Sequence, residues 1–154
     1  IRQPDGTYLA YTDNGREYTG VEVLSWVREV EVRGAGEILL TSIDREGTGT
    51  GFDLELIQMV SEVVTIPLIA HGGAASADHI KDAISQAGAD AVSVASMLHY
   101  TTNNHKKSLA GNYEDEGNIE FLKKESSFKM FGTVNLTELK HQLAEMDIPL
   151  RELN

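Results

Sequence analysis

Gly34-Ala35-Gly36-Glu37-Ile38-Leu39-Leu40-Thr41-Ser42-Ile43-Asp44-Arg45-Glu46-Gly47-Thr48-Gly49-Thr50-Gly51 is the stretch that decides the fold. Its opening glycines tolerate the left-handed end of a helix and so stop whatever helix precedes them. The apolar run Ile38 to Ile43 that follows reads as a buried strand, and it passes into a loop where glycine alternates with hydroxyl side chains. Helix, strand and glycine-rich loop in that order are the components of a parallel β/α unit.

The same pattern continues on both sides. Upstream, Val23, Val27 and Val30 recur at helical spacing, with Leu24 and Trp26 widening the stripe, which predicts a helix over 21–33. Downstream, Asp53 is a good helix cap for a stripe of Leu54, Ile57, Val60 and Val64. Ile66-Pro67-Leu68-Ile69-Ala70 then reads as a buried strand whose proline sits at its tolerated first positions. Ser76 caps a third helix with Ile80, Ala83 and Ile84 inward, closed by Gly88, and Ala91-Val92-Ser93-Val94-Ala95-Ser96 is a third strand. Strands joined by helices through short connections run parallel. The predicted fold class is therefore α/β.

The flanks differ. Over 1–19 the aromatic and polar alternation around Asn14-Gly15 predicts a two-residue turn and a small surface hairpin outside the main sheet. The β/α units occupy 20–100. A polar insertion fills 101–131, with an acidic knot at Glu114-Asp115-Glu116 and a short helix near 119–124. A terminal helix within 132–154 places Leu136, Leu139 and Leu143 on its core face.

Composition narrows the function. A hydrophobic content of 41% suits a soluble globular chain, and the longest apolar runs are strand-sized, too short for a membrane. The absence of cysteine excludes disulfides and thiolate chemistry and fits a cytoplasmic setting. A net charge of −11 argues against nucleic acid but permits a phosphate ester held by local backbone amides. Ile1 in place of Met, with no apolar signal segment after it, reads as a chain entered partway. Its 154 residues fall short of the roughly 250 typical of a complete (β/α)₈ barrel.

In parallel β/α folds ligands lie beyond the carboxyl ends of the strands. The first such end carries Asp44 and Glu46, a pair able to position a substrate hydroxyl or share in proton transfer, or else a solvated turn whose glycines serve only its backbone. The second carries His71-Gly72-Gly73-Ala74 before a helix start; paired glycines also arise for tight packing, but at the end of a buried strand their bare amides and the helix dipole favour phosphate. The third ends at Ala95-Ser96, one hydroxyl from the same anion. Paired sites after consecutive strands match the phosphate site that (β/α)₈ barrels form after their last two. No histidine pair has the spacing of a helical zinc site, and His79, His105 and His141 read as surface residues.

These motifs, taken in order, resemble the cyclase subunit of imidazole glycerol phosphate synthase, from histidine biosynthesis. The stretch through Thr48 is the most telling; Ile69-Ala70-His71-Gly72-Gly73-Ala74 and Gly88-Ala89-Asp90-Ala91 through Ala95-Ser96 also occur in related phosphate-binding barrels. The resemblance spans Asp5 to Tyr100 and returns over 134–151. It implies the C-terminal part of a (β/α)₈ TIM-type barrel, from after strand five through helix eight. It further implies ammonia from a glutaminase partner, a phosphorylated ribotide substrate, and no cofactor or metal. By position, His71, Gly72, Gly73, Ala95 and Ser96 would hold substrate phosphate, and Thr41 and Glu46 would line the reaction centre. Asp44, Gly47 and Thr48 would shape the loop, and Glu37 would match a charged residue of the ammonia gate.

Three departures accompany the resemblance. The family's two catalytic aspartates would lie upstream of Ile1, so this chain alone should be inactive. Glu46 replaces an aspartate, and His71 replaces a serine. Two other readings stand beside the cyclase. One is a paralogue serving amidation of surface-polysaccharide sugars. The other is a non-catalytic half-barrel that assembles with itself or with a missing N-terminal half, since bare sheet edges seek partners.

Overall fold

The computed structural model of the chain describes residues 1–99 and 134–151. The insertion expected at 101–131, with its short helix near 119–124, lies outside the described residues. The elements are β1 (Leu9–Thr12), β2 (Glu17–Glu22), α1 (Val23–Val32), β3 (Ile38–Thr41), α2 (Leu54–Ser61), β4 (Leu68–His71), α3 (Ala77–Ser85), β5 (Ala91–Ser93) and α4 (Leu136–Glu145). Residues 13–15 form a 3-10 turn, and residues 96–99 are helical.

Strands β3, β4 and β5 form one parallel sheet in sequential order. Each of α1 to α4 starts where a side chain accepts from otherwise unpaired amides of its first turn. Asp53 accepts from the Leu56 amide, Ser76 from His79, and Asn135 from Glu138. At α1 the cap is Glu22, which accepts from Leu24 and Ser25. Burial pushes the Glu22 carboxyl up, but the bonds from Ser25 and Leu24 outweigh it and hold the group below its usual range.

The helices line up in chain order, α1 against α2, α2 against α3 and α3 against α4. Together they cover one face of the sheet. Leu68 and Ala70 are fully buried on that face, and Ile38, Leu40 and Val92 pack with them against Leu56, Val60, Ile80 and Met97. Aspartate fastens the starts of β4 and β5 together: the Asp90 carboxylate accepts from the Leu68 amide at 2.9 Å, and the Asp90 amide donates to the Leu68 carbonyl.

The register places Leu39, Ile69 and Ala91 in one row across the sheet, and Thr41, His71 and Ser93 in the next. These side chains point away from the helices. Strand β3 is therefore not buried as its apolar run suggested, for Leu39 is 58% exposed. The run records two apolar faces, and among the described residues the helices cover only one. The same geometry corrects two helix stripes. Trp26 (43% exposed) and Leu136 (52% exposed) lie off the buried lines formed by Val23 with Val27 and by Leu139 with Leu143.

Strands β1 and β2 pair antiparallel in a separate sheet. Thr12 pairs with Glu17, so the connection spans residues 13–16 rather than the two-residue turn expected at Asn14-Gly15. Asp13 and Asn14 both take left-handed backbone angles, which short polar side chains tolerate. Nor is the hairpin only a surface feature, because Tyr8, just before β1, is 3% exposed and belongs to the core.

Leu68→Ala leaves a cavity in the centre of the packed face and should cost about 2–5 kcal/mol in urea unfolding of this chain. Leu39→Ala, on the bare face, should stay within about 0.5 kcal/mol. Equal losses would contradict the one-sided core.

Candidate functional site

The carboxyl ends of β3, β4 and β5 open into a single cleft lined by Glu46, Gly47, Gly49, His71, Gly72, Gly73, Ala74, Ser93, Val94, Ala95 and Ser96. Its construction starts from Ser42, the residue after β3, which is buried. The Ser42 amide donates to the His71 carbonyl at 3.2 Å, carrying the parallel pairing one residue past the strand. Its carbonyl accepts from the amides of Arg45 (3.2 Å) and Glu46 (3.0 Å), so the loop turns tightly at once. Thr48 closes the next turn, its amide and hydroxyl both donating to the Arg45 carbonyl.

The loop after β3 returns against the glycine pair after β4. The Gly51 amide donates to the Gly73 carbonyl at 2.9 Å. Gly72 and Gly73 have φ of 99° and 98°, in the region that favours glycine. Space forbids a side chain there as well. A β-carbon on Gly72 would stand 2.8 Å from the Ser42 carbonyl oxygen, and one on Gly73 would overlap the Gly51 carbonyl oxygen. Two loops with bare backbone surfaces can thus pack directly on one another, and the glycine pair lies just ahead of the amino end of α3.

Of the residues singled out from sequence, Glu46, Gly47, His71, Gly72, Gly73, Ala95 and Ser96 all line this cleft. Thr41 joins them indirectly: its Oγ1 lies 3.1 Å from His71 Nδ1 in a hydrogen bond across the paired strands. Others are placed elsewhere. The acidic pair is split, because the Asp44 carboxylate accepts from the Arg2 amide at 2.7 Å on the outer side of the loop. Thr48 is engaged within the loop, its hydroxyl also 2.8 Å from that of Thr50. Glu37 is exposed at the amino end of β3, opposite the cleft. His141 is exposed and His105 lies outside the described residues. His79 is half-buried, its Nδ1 accepting from the Ala75 amide at 3.2 Å with the ring near Gly51, so it is no free surface histidine.

Sequence reading missed two features. Strand β5 ends at Ser93, and residues 96–99 are already helical, so Ser93 and Val94 also line the cleft. The match of Ser93 to His71 in the register is the signal that could have found it. The second is a buried polar cluster behind the loop. The Asp53 carboxylate accepts from the Tyr8 hydroxyl at 3.0 Å and from the Ser42 hydroxyl at 3.2 Å. Burial, followed by the Asp53 charge and this hydrogen bond, pushes the Tyr8 phenol from 10.0 up to about 12.

Comparison with known proteins adds to this geometry. The family model described as "Histidine biosynthesis protein" matches residues 4–104, which include all three parallel strands and every cleft-lining residue. The chain belongs to that family. Among its relatives is imidazole glycerol phosphate synthase subunit HisF of Pyrobaculum aerophilum, 55% identical over 93 residues that cover 60% of this chain and 36% of that protein. HisF of Alkaliphilus metalliredigens is 50% identical over 99 residues, 64% of this chain and 39% of that one. HisF of Trichormus variabilis is 52% identical over 90 residues, 58% of this chain and 35% of that one. The chain thus spans little more than a third of the length of these relatives. A solved structure of a FabK mutant from Thermotoga maritima aligns with a TM-score of 0.37 at 29% identity, over 57% of this chain and 32% of that one.

Two measurements check the site's construction. Gly73→Ala combines a left-handed backbone with a backbone overlap and should destabilise the chain by about 2–5 kcal/mol. Gly47→Ala, left-handed but facing open space, should cost only about 1–2 kcal/mol. In a spectrophotometric titration Tyr8→Phe should remove the phenol that ionises at about 12. Because the folded value is raised, Tyr8 contributes stability that is full below pH 10 and lost as pH rises towards about 12.

Proposed function

We propose that this chain is the C-terminal portion of a (β/α)₈ barrel, with β3, β4 and β5 as strands six, seven and eight, and that it serves the cyclase of imidazole glycerol phosphate synthase. The observation that carries the proposal is the single cleft at the carboxyl ends of the three parallel strands, which joins Glu46 to the glycine pair and Ser96. The bare sheet face supports the barrel, since strands on the inside of a closed barrel bury a second apolar row of the kind made by Leu39 and Ile69. The three relatives all carry the HisF name, which favours the cyclase over the sugar-amidating paralogue.

In this reading the amides of Gly72 and Gly73 and the hydroxyl of Ser96 bind one phosphate of the ribotide, assisted by the partial positive charge at the start of α3. His71, aligned by Thr41, adds a ring nitrogen to the same wall. Glu46 stands beyond the phosphate grip, where its carboxyl group can accept a proton or hydrogen bond from the reacting substrate. The remaining catalytic carboxylates come from strands one and five, and a glutaminase subunit delivers ammonia to the floor of the barrel, past Glu37. The domain division follows: 1–19 as the excursion after strand five, 20–100 as the β/α units, 101–131 as an insertion and 132–154 as the terminal helix unit.

The test supplies strands one to five as a separate chain, confirms that the complex forms, and follows ammonia-dependent conversion of the phosphoribosyl-formimino-aminoimidazole carboxamide ribotide. Turnover is expected, with Glu46→Gln lowering kcat by about 100-fold or more. A formed complex that leaves the ribotide intact would sink the cyclase proposal.

A further inference from the structure

Glu46 and Asp44 lie on the same loop, yet one lines the cleft and the other faces away from it. What sets that orientation is found behind the loop. Tyr8, Ser42 and Asp53 are all buried, and their polar atoms converge. Asp53 accepts from the Tyr8 hydroxyl, the Ser42 hydroxyl and the Leu56 amide, at 3.0, 3.2 and 3.2 Å. Ser42 begins the loop and Asp53 ends it, so their bond closes its base. The Ser42 carbonyl accepts the Glu46 amide at 3.0 Å, which extends the chain of contacts from the Tyr8 phenol to the backbone of Glu46.

A second set of contacts holds the outer side. The Arg2 amide binds Asp44, the Arg2 guanidinium pairs with Glu55 at 3.0 Å, and the same group lies over the Tyr8 ring. Residues 1–8 therefore grip the loop from behind while its inner edge faces the cleft. Burying a carboxylate is costly unless its hydrogen bonds are satisfied, and a satisfied buried network admits few alternative geometries. An apolar trio would stabilise the same packing without fixing the turn of the loop.

We infer that Tyr8, Asp53 and Ser42 act as positioning residues that set Glu46 in the cleft, which makes the segment before β1 part of the site's machinery. The inference rests on the proposed acid–base role of Glu46 and goes beyond it by naming what orients that residue.

Two measurements test it. In the reconstituted enzyme, Tyr8→Phe keeps the ring and removes one donor. It should lower kcat about tenfold and leave KM within about twofold, with Ser42→Ala behaving alike. In a Glu46→Gln background either change should cost less than about twofold further, because residues acting through one group are not additive. A full tenfold loss in that background, or an unchanged kcat with Glu46 present, overturns the inference. On this chain alone, hydrogen exchange at the amides of residues 44–50 should quicken about tenfold in Tyr8→Phe while β3 and β4 keep their protection. A uniform rise along the chain, or no rise, overturns it equally. Absence of turnover by the unmutated complex counts instead against the cyclase, and the exchange pattern still decides whether Tyr8 holds the loop.

Discussion

The direct contact between two stretches of bare backbone, Ser42 to Gly51 after β3 and Gly72-Gly73 after β4, is the constraint on which the site depends. Ser42 and Gly51 each present a carbonyl oxygen where a side chain on the glycine pair would stand. Only because that space is empty can the Gly51 amide reach the Gly73 carbonyl and bring the glycine-rich loop over the end of the sheet. The cleft is then a by-product of the packing: its walls are the loop carrying Glu46, the end of β4 with the glycine pair after it, and the end of β5 with the residues up to Ser96.

That packing is anchored at both ends by elements serving the core. Asp53 caps α2 through the Leu56 amide while also receiving Tyr8 and Ser42, so one carboxylate joins helix, hairpin segment and loop. Asp90 does comparable work at the opposite end of the sheet, holding β5 in register with β4. That register aligns Thr41, His71 and Ser93 as a row facing away from the helices. Chemistry-bearing side chains occupy the ends of the bare face, whereas the helix-covered face is apolar throughout.

Much of this was legible beforehand, for reasons visible in particular residues. Asp53 and Ser76 announced their helices because a capping oxygen acts within a few residues of itself. The valines of α1 and the leucines of α4 give the helical period, but Trp26 and Leu136 lie outside the buried stripes, since hydrophobicity alone does not reveal how wide a stripe its neighbours cover. His71-Gly72-Gly73 is legible through its place between a strand end and a helix start, whereas the packing of its glycines on Ser42 and Gly51 is not. Tyr8 did not stand out at all. Its partner is 45 positions away, and no local pattern signals a bond of that range.

Sequence by itself determined the order of helices and strands, the parallel sheet, and which loops carry the candidate chemistry, since periodicity, caps and glycines act over a few residues. Tertiary structure alone decided that Asp44 and Glu46 part company, that Thr41 meets His71, and that a tyrosine from the hairpin segment closes on Asp53. Each of those outcomes depends on which distant backbone lies alongside. Strand register and the space left by two glycines set that arrangement, and neither is written in the neighbourhood of any one residue.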